Sequence, residues 1–159
     1  MKVNFECKYC HAKLTVEDSQ RVVLCKYCGT EQALPGGLAS PDRASRFERA
    51  NHHRQNGDFD RALEIYNKIL DKNTDDAEAY WSLLLCRFGV VYVKDVDGYK
   101  PTINRMQRTS ILADEDYRAA CKHADAEQRE IYVREAEKIN DIQRRYLQIV
   151  ESERPFDVF

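Results

Sequence analysis

No apolar run in these 159 residues approaches the roughly 18 that a membrane-spanning helix needs. The opening segment Met1-Lys2-Val3-Asn4-Phe5-Glu6 lacks the apolar stretch of a secretory signal, so a cytoplasmic location is expected. An excess of one charge is lacking too: 25 Lys and Arg face 27 Asp and Glu, a formal net charge of −2. That removes the electrostatic reason to expect DNA, RNA or an anionic membrane as the main partner. Glycine is scarce, at 6 residues, and none sits in a phosphate-cradling loop. No nucleophile–base pair is legible, and the dispersed Asp and Glu fit solvated helix faces. The expectation is a chain that is not an enzyme.

What the sequence does have is cysteine. Cys7-Lys8-Tyr9-Cys10 and Cys25-Lys26-Tyr27-Cys28 repeat one tetrapeptide across 14 intervening residues. Two residues between thiolates let a tight turn aim both sulfurs at one ion, and two such turns complete the tetrahedron that Zn²⁺ prefers. Cys7, Cys10, Cys25 and Cys28 are therefore the expected ligands of one structural Zn²⁺ per chain. In a reducing compartment disulfides and free thiols are the weaker alternatives; iron is another, because rubredoxin-type sites use similar knuckles. With four thiolates the shell is closed, so the metal's expected job is folding: a piece of this size cannot bury enough surface to fold alone. Gly29 follows Cys28 where a positive φ is needed, and His11 holds the equivalent place after Cys10. Between the knuckles, Lys13 to Val16 and Arg21 to Leu24 read as a hairpin turning at Glu17 to Gln20. Residues 1–34 thus look like a zinc ribbon.

Residues 35–42, with Pro35, Gly36, Gly37 and Pro41, have the punctuation of a linker. Beyond them the apolar period becomes helical. Ser40 or Asp42 can cap a first helix carrying Phe47 and Ala50; Gly57-Asp58-Phe59-Asp60 breaks it; Ala62, Ile65, Tyr66 and Ile69 mark a second; Tyr80, Trp81, Leu84 and Leu85 mark a third. Residues 43–89 resemble the tetratricopeptide (TPR) repeat in Ala50, the Gly57 to Asp60 turn, Ala62, Tyr66 and Ile69, and in the 34-residue step from Arg43 to Ala77. Thr74 stands where that repeat usually has proline. One and a half repeats cannot close a core, so another part of the chain must cover them. Such an array has little groove, and scaffold is favoured over peptide receptor. Adjacent His52 and His53 point in different directions on a helix and read as surface or half-buried residues rather than a metal pair.

Within residues 90–113, Asp95-Val96-Asp97-Gly98 between two β-rich runs signals a hairpin. The polar stretch Asn104 to Ser110 is either a binding surface or a solvated connector. Residues 114–153 contain no Gly or Pro and read as one long helix with an apolar stripe from Tyr117 to Ile149. Acid-before-base pairs four apart, such as Asp125/Arg129 and Glu130/Arg134, would support its wet side. A helix that long overhangs a helical hairpin, so its distal half is expected to meet a second copy of the chain or a further domain.

Residues 154–159 end on Phe156-Asp157-Val158-Phe159, similar to the aromatic-Asp-Val-Phe strand that opens bacterial Toll/interleukin receptor (TIR) domains. In one bacterial family such a domain follows a zinc ribbon, a TPR-like hairpin and a long helix, and Ala77 to Leu83 and Asp114 to Tyr117 also resemble that family's N-terminal region. The resemblance implies a defence effector whose TIR domain cleaves NAD⁺ once assembled. Its catalytic glutamate would lie beyond Phe159, so the resemblance transfers no catalytic residue to this chain. The expected fold is mainly α with a small β zinc ribbon. The expected function is a non-catalytic, zinc-stabilised scaffold, the regulatory, oligomerising or sensing region of such an effector. The alternative is a ribbon that binds nucleic acid or a nucleic-acid machine.

Overall fold

A computed structural model describes residues 1–153. The TIR-like tetrapeptide Phe156 to Phe159 lies outside the described residues. The fold is mainly helical with three small antiparallel hairpins.

The N-terminal piece differs from the expected hairpin. Strand β1 (Lys2–Glu6) pairs with β2 (Lys13–Glu17), Phe5 opposite Leu14, and β3 (Val22–Leu24) pairs with β4 (Glu31–Ala33). Each Cys-Lys-Tyr-Cys turn is thus the connection inside its own hairpin, and Glu17 to Gln20 link two hairpins rather than closing one. The reason is local: Cys7 N–H donates to Ala12 O, and Cys25 N–H to Thr30 O, so each knuckle folds its flanking strands together.

Ser40 caps α1 (Pro41–Gln55), its side chain accepting from Arg43 N–H, with Pro41 in the first turn, where a missing N–H costs nothing. Helices α2 (Phe59–Lys72) and α3 (Ala77–Arg87) follow. The TPR-like positions Ala50, Ala62, Tyr66 and Ile69 are buried in one cluster with Phe47, Phe59, Leu83 and Cys86. Asp76 caps α3 and pairs with Arg43 of α1.

Helix α3 is buried on nearly every side. Ala79, Leu83 and Cys86 face α1 and α2, whereas Trp81, Leu84, Leu85 and Phe88 join a second cluster. That cluster also holds Phe5, Leu14 and Leu34 of the ribbon and Ile131, Tyr132, Ala136 and Ile139 further along the chain. The half-repeat is closed by the ribbon on one flank and by later helices on another.

Strands β5 (Val90–Asp95) and β6 (Gly98–Ile103) form the hairpin at Asp95 to Gly98. The segment after it is tied down: Gln143 Nε2 donates to Gln107 O and Thr109 O at 2.6 and 2.7 Å, and Asn104 Nδ2 to Gly89 O. Asn104 to Ser110 is a fastened connector.

The single helix expected over 114–153 is two. Helix α4 (Glu115–His123) ends at Ala124, and α5 (Ala126–Ser152) starts from Asp125. The break needs neither Gly nor Pro: Asp125 and Gln128 form a reciprocal capping box, satisfying amides that a continuous helix would have bonded internally. Arg129 then donates to Cys121 O and Ala124 O, so the expected Asp125/Arg129 pair gives way to a C-terminal cap on α4. The ion pairs within α5 are spaced by three, Glu135–Lys138 and Asp141–Arg144. Buried α5 residues run from Gln128 to Gln143.

Candidate metal centre

The four cysteines converge. Cys7 and Cys25 are fully buried at the roots of the two knuckles, and Cys10 and Cys28 lie half-buried beside them. All four Sγ atoms lie within 4.8 Å of one another, with Cys7–Cys28 and Cys10–Cys25 both at 3.7 Å. Bonds of about 2.3 Å to a tetrahedral Zn²⁺ require sulfur–sulfur edges of about 3.8 Å. The spacing fits a shared ion, and all four are free thiols.

Several hydrogen-bond donors point at the sulfurs. Tyr9 and Cys10 N–H groups approach Cys7 Sγ at 3.4 and 3.5 Å, and Cys28 N–H approaches Cys25 Sγ at 3.5 Å. Gln32 Nε2 donates to Cys7 Sγ at 3.2 Å, and Thr30 Oγ1 sits 3.3 Å from Cys28 Sγ. Burial opposes ionisation at Cys25, but the N–H groups of Cys28 and Tyr27 outweigh it and bring the thiol down to about 7. Burial among the other thiols pushes Cys10 up to about 12. Four thiols gathered at one point suit a cation, which favours their deprotonated form. Four sulfurs leave no open position, so the ion's chemistry would be that of a fold-holding cross-link.

Sequence reasoning missed how the centre is wired to the helices. Gln32, fully buried, donates to Cys7 Sγ and accepts from Lys8 N–H at 2.9 Å. The Lys8 ammonium turns inward and pairs with Glu78 of α3 at 2.6 Å, both side chains buried. The other oxygen of Glu78 accepts from Tyr132 OH of α5 at 3.0 Å, and Trp81 stacks on the same Tyr132 ring. Nothing local marks Lys8 as a core residue; its identical twin Lys26 is exposed. A second convergence also lacked a sequence signal: Glu6, His11 and His52 bring their ligand atoms within 4.8 Å of one another. His52 was readable as half of an adjacent pair, and His11 as a residue in glycine's place or a substitute ligand for which the four sulfurs leave no vacancy.

The arrangement joins a cysteine cluster spaced for a metal ion to a TPR-like helical region. Residues 43–88 match the family model of the tetratricopeptide repeat. No curated protein and no solved structure matches the chain. Among the described residues no helix is long and apolar enough to cross a membrane.

Proposed function

We propose that this chain is a non-catalytic protein-interaction scaffold in the cytoplasm. One structural Zn²⁺ on Cys7, Cys10, Cys25 and Cys28 fastens the ribbon over a TPR-like repeat, and the far end of α5 mediates self-association. The observation that carries the reading is the joint burial of α3 by the ribbon and by α5: the repeat's flank is closed from within the chain, which leaves a platform rather than a peptide groove. Support for self-association comes from α5 beyond Gln143, where Tyr146 and Ile149 are exposed on about 14 Å of helix past the last buried residue. The order of ribbon, repeat and helix, with the TIR-like tetrapeptide after them, supports a regulatory or sensing role ahead of a NAD⁺-cleaving defence domain. Docking of nucleic acid is the lesser reading: exposed Lys26 and Tyr27 remain available to it, but Lys8 is consumed by Glu78.

Native mass spectrometry of the chain, desalted into metal-free buffer, tests the proposal. One tightly retained zinc and a dimer or larger species, reduced to monomer by Tyr146→Glu with Ile149→Glu, is the expected result. A monomer at all concentrations, here and in any longer form of the protein, overturns self-association. Retained iron, or no retained metal, overturns the zinc assignment.

A further inference from the structure

A second cluster of ligand-type side chains lies where the ribbon meets α1, with two of its members next in sequence to Cys7 and Cys10. Glu6 Oε1 lies 3.0 Å from His11 Nδ1 and 2.5 Å from His52 Nε2, and the two rings meet edge to face with centroids 5.7 Å apart. The three side chains come from three places: the end of β1, the first knuckle and the middle of α1. Glu6 is largely buried, with 16% of its side chain exposed, whereas each imidazole is half-exposed. They line a hollow of about 350 Å³ whose rim carries Gln55 and Asn56.

The knuckle geometry shows that His11 is held there at a cost. The two knuckles are built alike: His11 N–H donates to Cys7 O as Gly29 N–H donates to Cys25 O. Both residues have a positive φ, 66° and 75°. The left-handed region is free to glycine and strained for an imidazole-bearing residue. The twin knuckle therefore gives an internal reference in which the position is glycine, and the first knuckle departs from it to aim an imidazole at Glu6 and His52.

We propose that Glu6, His11 and His52 form an exchangeable site for a first-row divalent cation, zinc foremost, which clamps the ribbon to the first helix. Two imidazoles and one carboxylate are a donor set for Zn²⁺, Co²⁺, Ni²⁺ or Cu²⁺ rather than for Ca²⁺ or Mg²⁺. The ion takes His11 through Nδ1, His52 through Nε2 and one oxygen of Glu6. Binding would take the place of the two hydrogen bonds to Glu6, leaving each imidazole's proton on the nitrogen turned away from the ion. The contacts to Glu6, at 3.0 Å from His11 and 2.5 Å from His52, open by about 0.3 and about 0.8 Å to the roughly 3.3 Å edges of a tetrahedron with 2.0–2.1 Å bonds, which the half-exposed rings permit. The fourth position opens on the hollow and belongs to water, so the ion is exchangeable, unlike one inside the closed sulfur shell.

Calorimetric titration of Zn²⁺ into the untagged chain already holding its tight equivalent of metal tests the site. One further, weaker equivalent is expected. His52→Ala should weaken it at least ten-fold while the tight metal stays. His11→Gly should do the same in a protein at least as stable as the wild type, because it restores the residue of the twin knuckle. If the wild type takes up no further zinc, or if both variants bind it as the wild type does, the proposal is overturned. Loss of the tight metal from the wild type would instead count against the four-thiolate centre.

Discussion

Replacing Lys8 by Met should cost far more than its place in a surface-like knuckle implies. In the folded chain the ammonium is 2.6 Å from Glu78, with side-chain exposures of 8% and 1%. Removing one partner of such a pair leaves the other charge buried and uncompensated, typically a loss of about 3–5 kcal/mol. Tyr132 OH still donates to Glu78 at 3.0 Å and offsets part of that, so the low end, about 3 kcal/mol, is expected. For a domain of this size that corresponds to a fall in Tm of roughly 6–12 °C. Adding Glu78→Gln to Lys8→Met removes the stranded charge and should recover most of the loss, giving a coupling energy of at least about 2 kcal/mol. Urea unfolding of the metal-loaded protein, followed by Trp81 fluorescence and by far-ultraviolet circular dichroism, measures it, provided that the m-value holds constant. A cost below about 1 kcal/mol for both single variants, the range of exposed pairs, would refute the reasoning and mean that the ribbon is not seated on α3.

Chelation should abolish the near-ultraviolet signal of Trp81 together with the ribbon's structure, because Trp81 shares one core with Phe5, Leu14 and Leu34. A structural zinc contributes roughly 10–16 kcal/mol, as much as a whole domain's stability; an unchanged Trp81 spectrum in metal-free protein would refute the shared core. Gly89→Ala should destabilise by about 2–4 kcal/mol in chemical denaturation, since at φ 60° its Cβ would lie 2.7 Å from the Arg105 backbone nitrogen that bonds Phe88 O. Gly57→Ala, at φ 81° with nothing within 4 Å, should cost only about 1 kcal/mol, and equal losses at the two positions would count against the close approach at Gly89.

What was legible in the sequence followed local chemistry. The repeated Cys-Lys-Tyr-Cys turns, the Asp95 to Gly98 hairpin and the Ala50, Ala62, Tyr66, Ile69 pattern each depend on spacing within a few residues, and each stands in the structure as expected. Strand pairing in the ribbon did not follow, because alternation in Lys13 to Val16 shows that a strand forms but not which neighbour it chooses. The break at Asp125 was missed because a capping box competes with helix continuity through two side chains, with no Gly or Pro to announce it. The Glu6, His11 and His52 convergence and the path from Cys7 through Gln32 and Lys8 to Glu78 join segments 24 to 70 residues apart. A single sequence without its fold carries no trace of such pairings.

The ribbon and α5 share one core, and this has a consequence for the order of synthesis. Both knuckles are complete by residue 34, yet the side chain that donates to Leu34 O, Gln128, comes 94 residues later, and Tyr132 and Ile139 later still. At about 5–20 residues per second, the ribbon leaves the ribosome and waits roughly 5–20 s for the helices that will cover Phe5, Leu14 and Leu34. During that interval its four thiols are exposed to whatever ion the cell offers. Metal identity would then be decided on the nascent chain, before the ribbon is sealed against α3 and α5, and free-metal supply during translation would set what the finished protein carries.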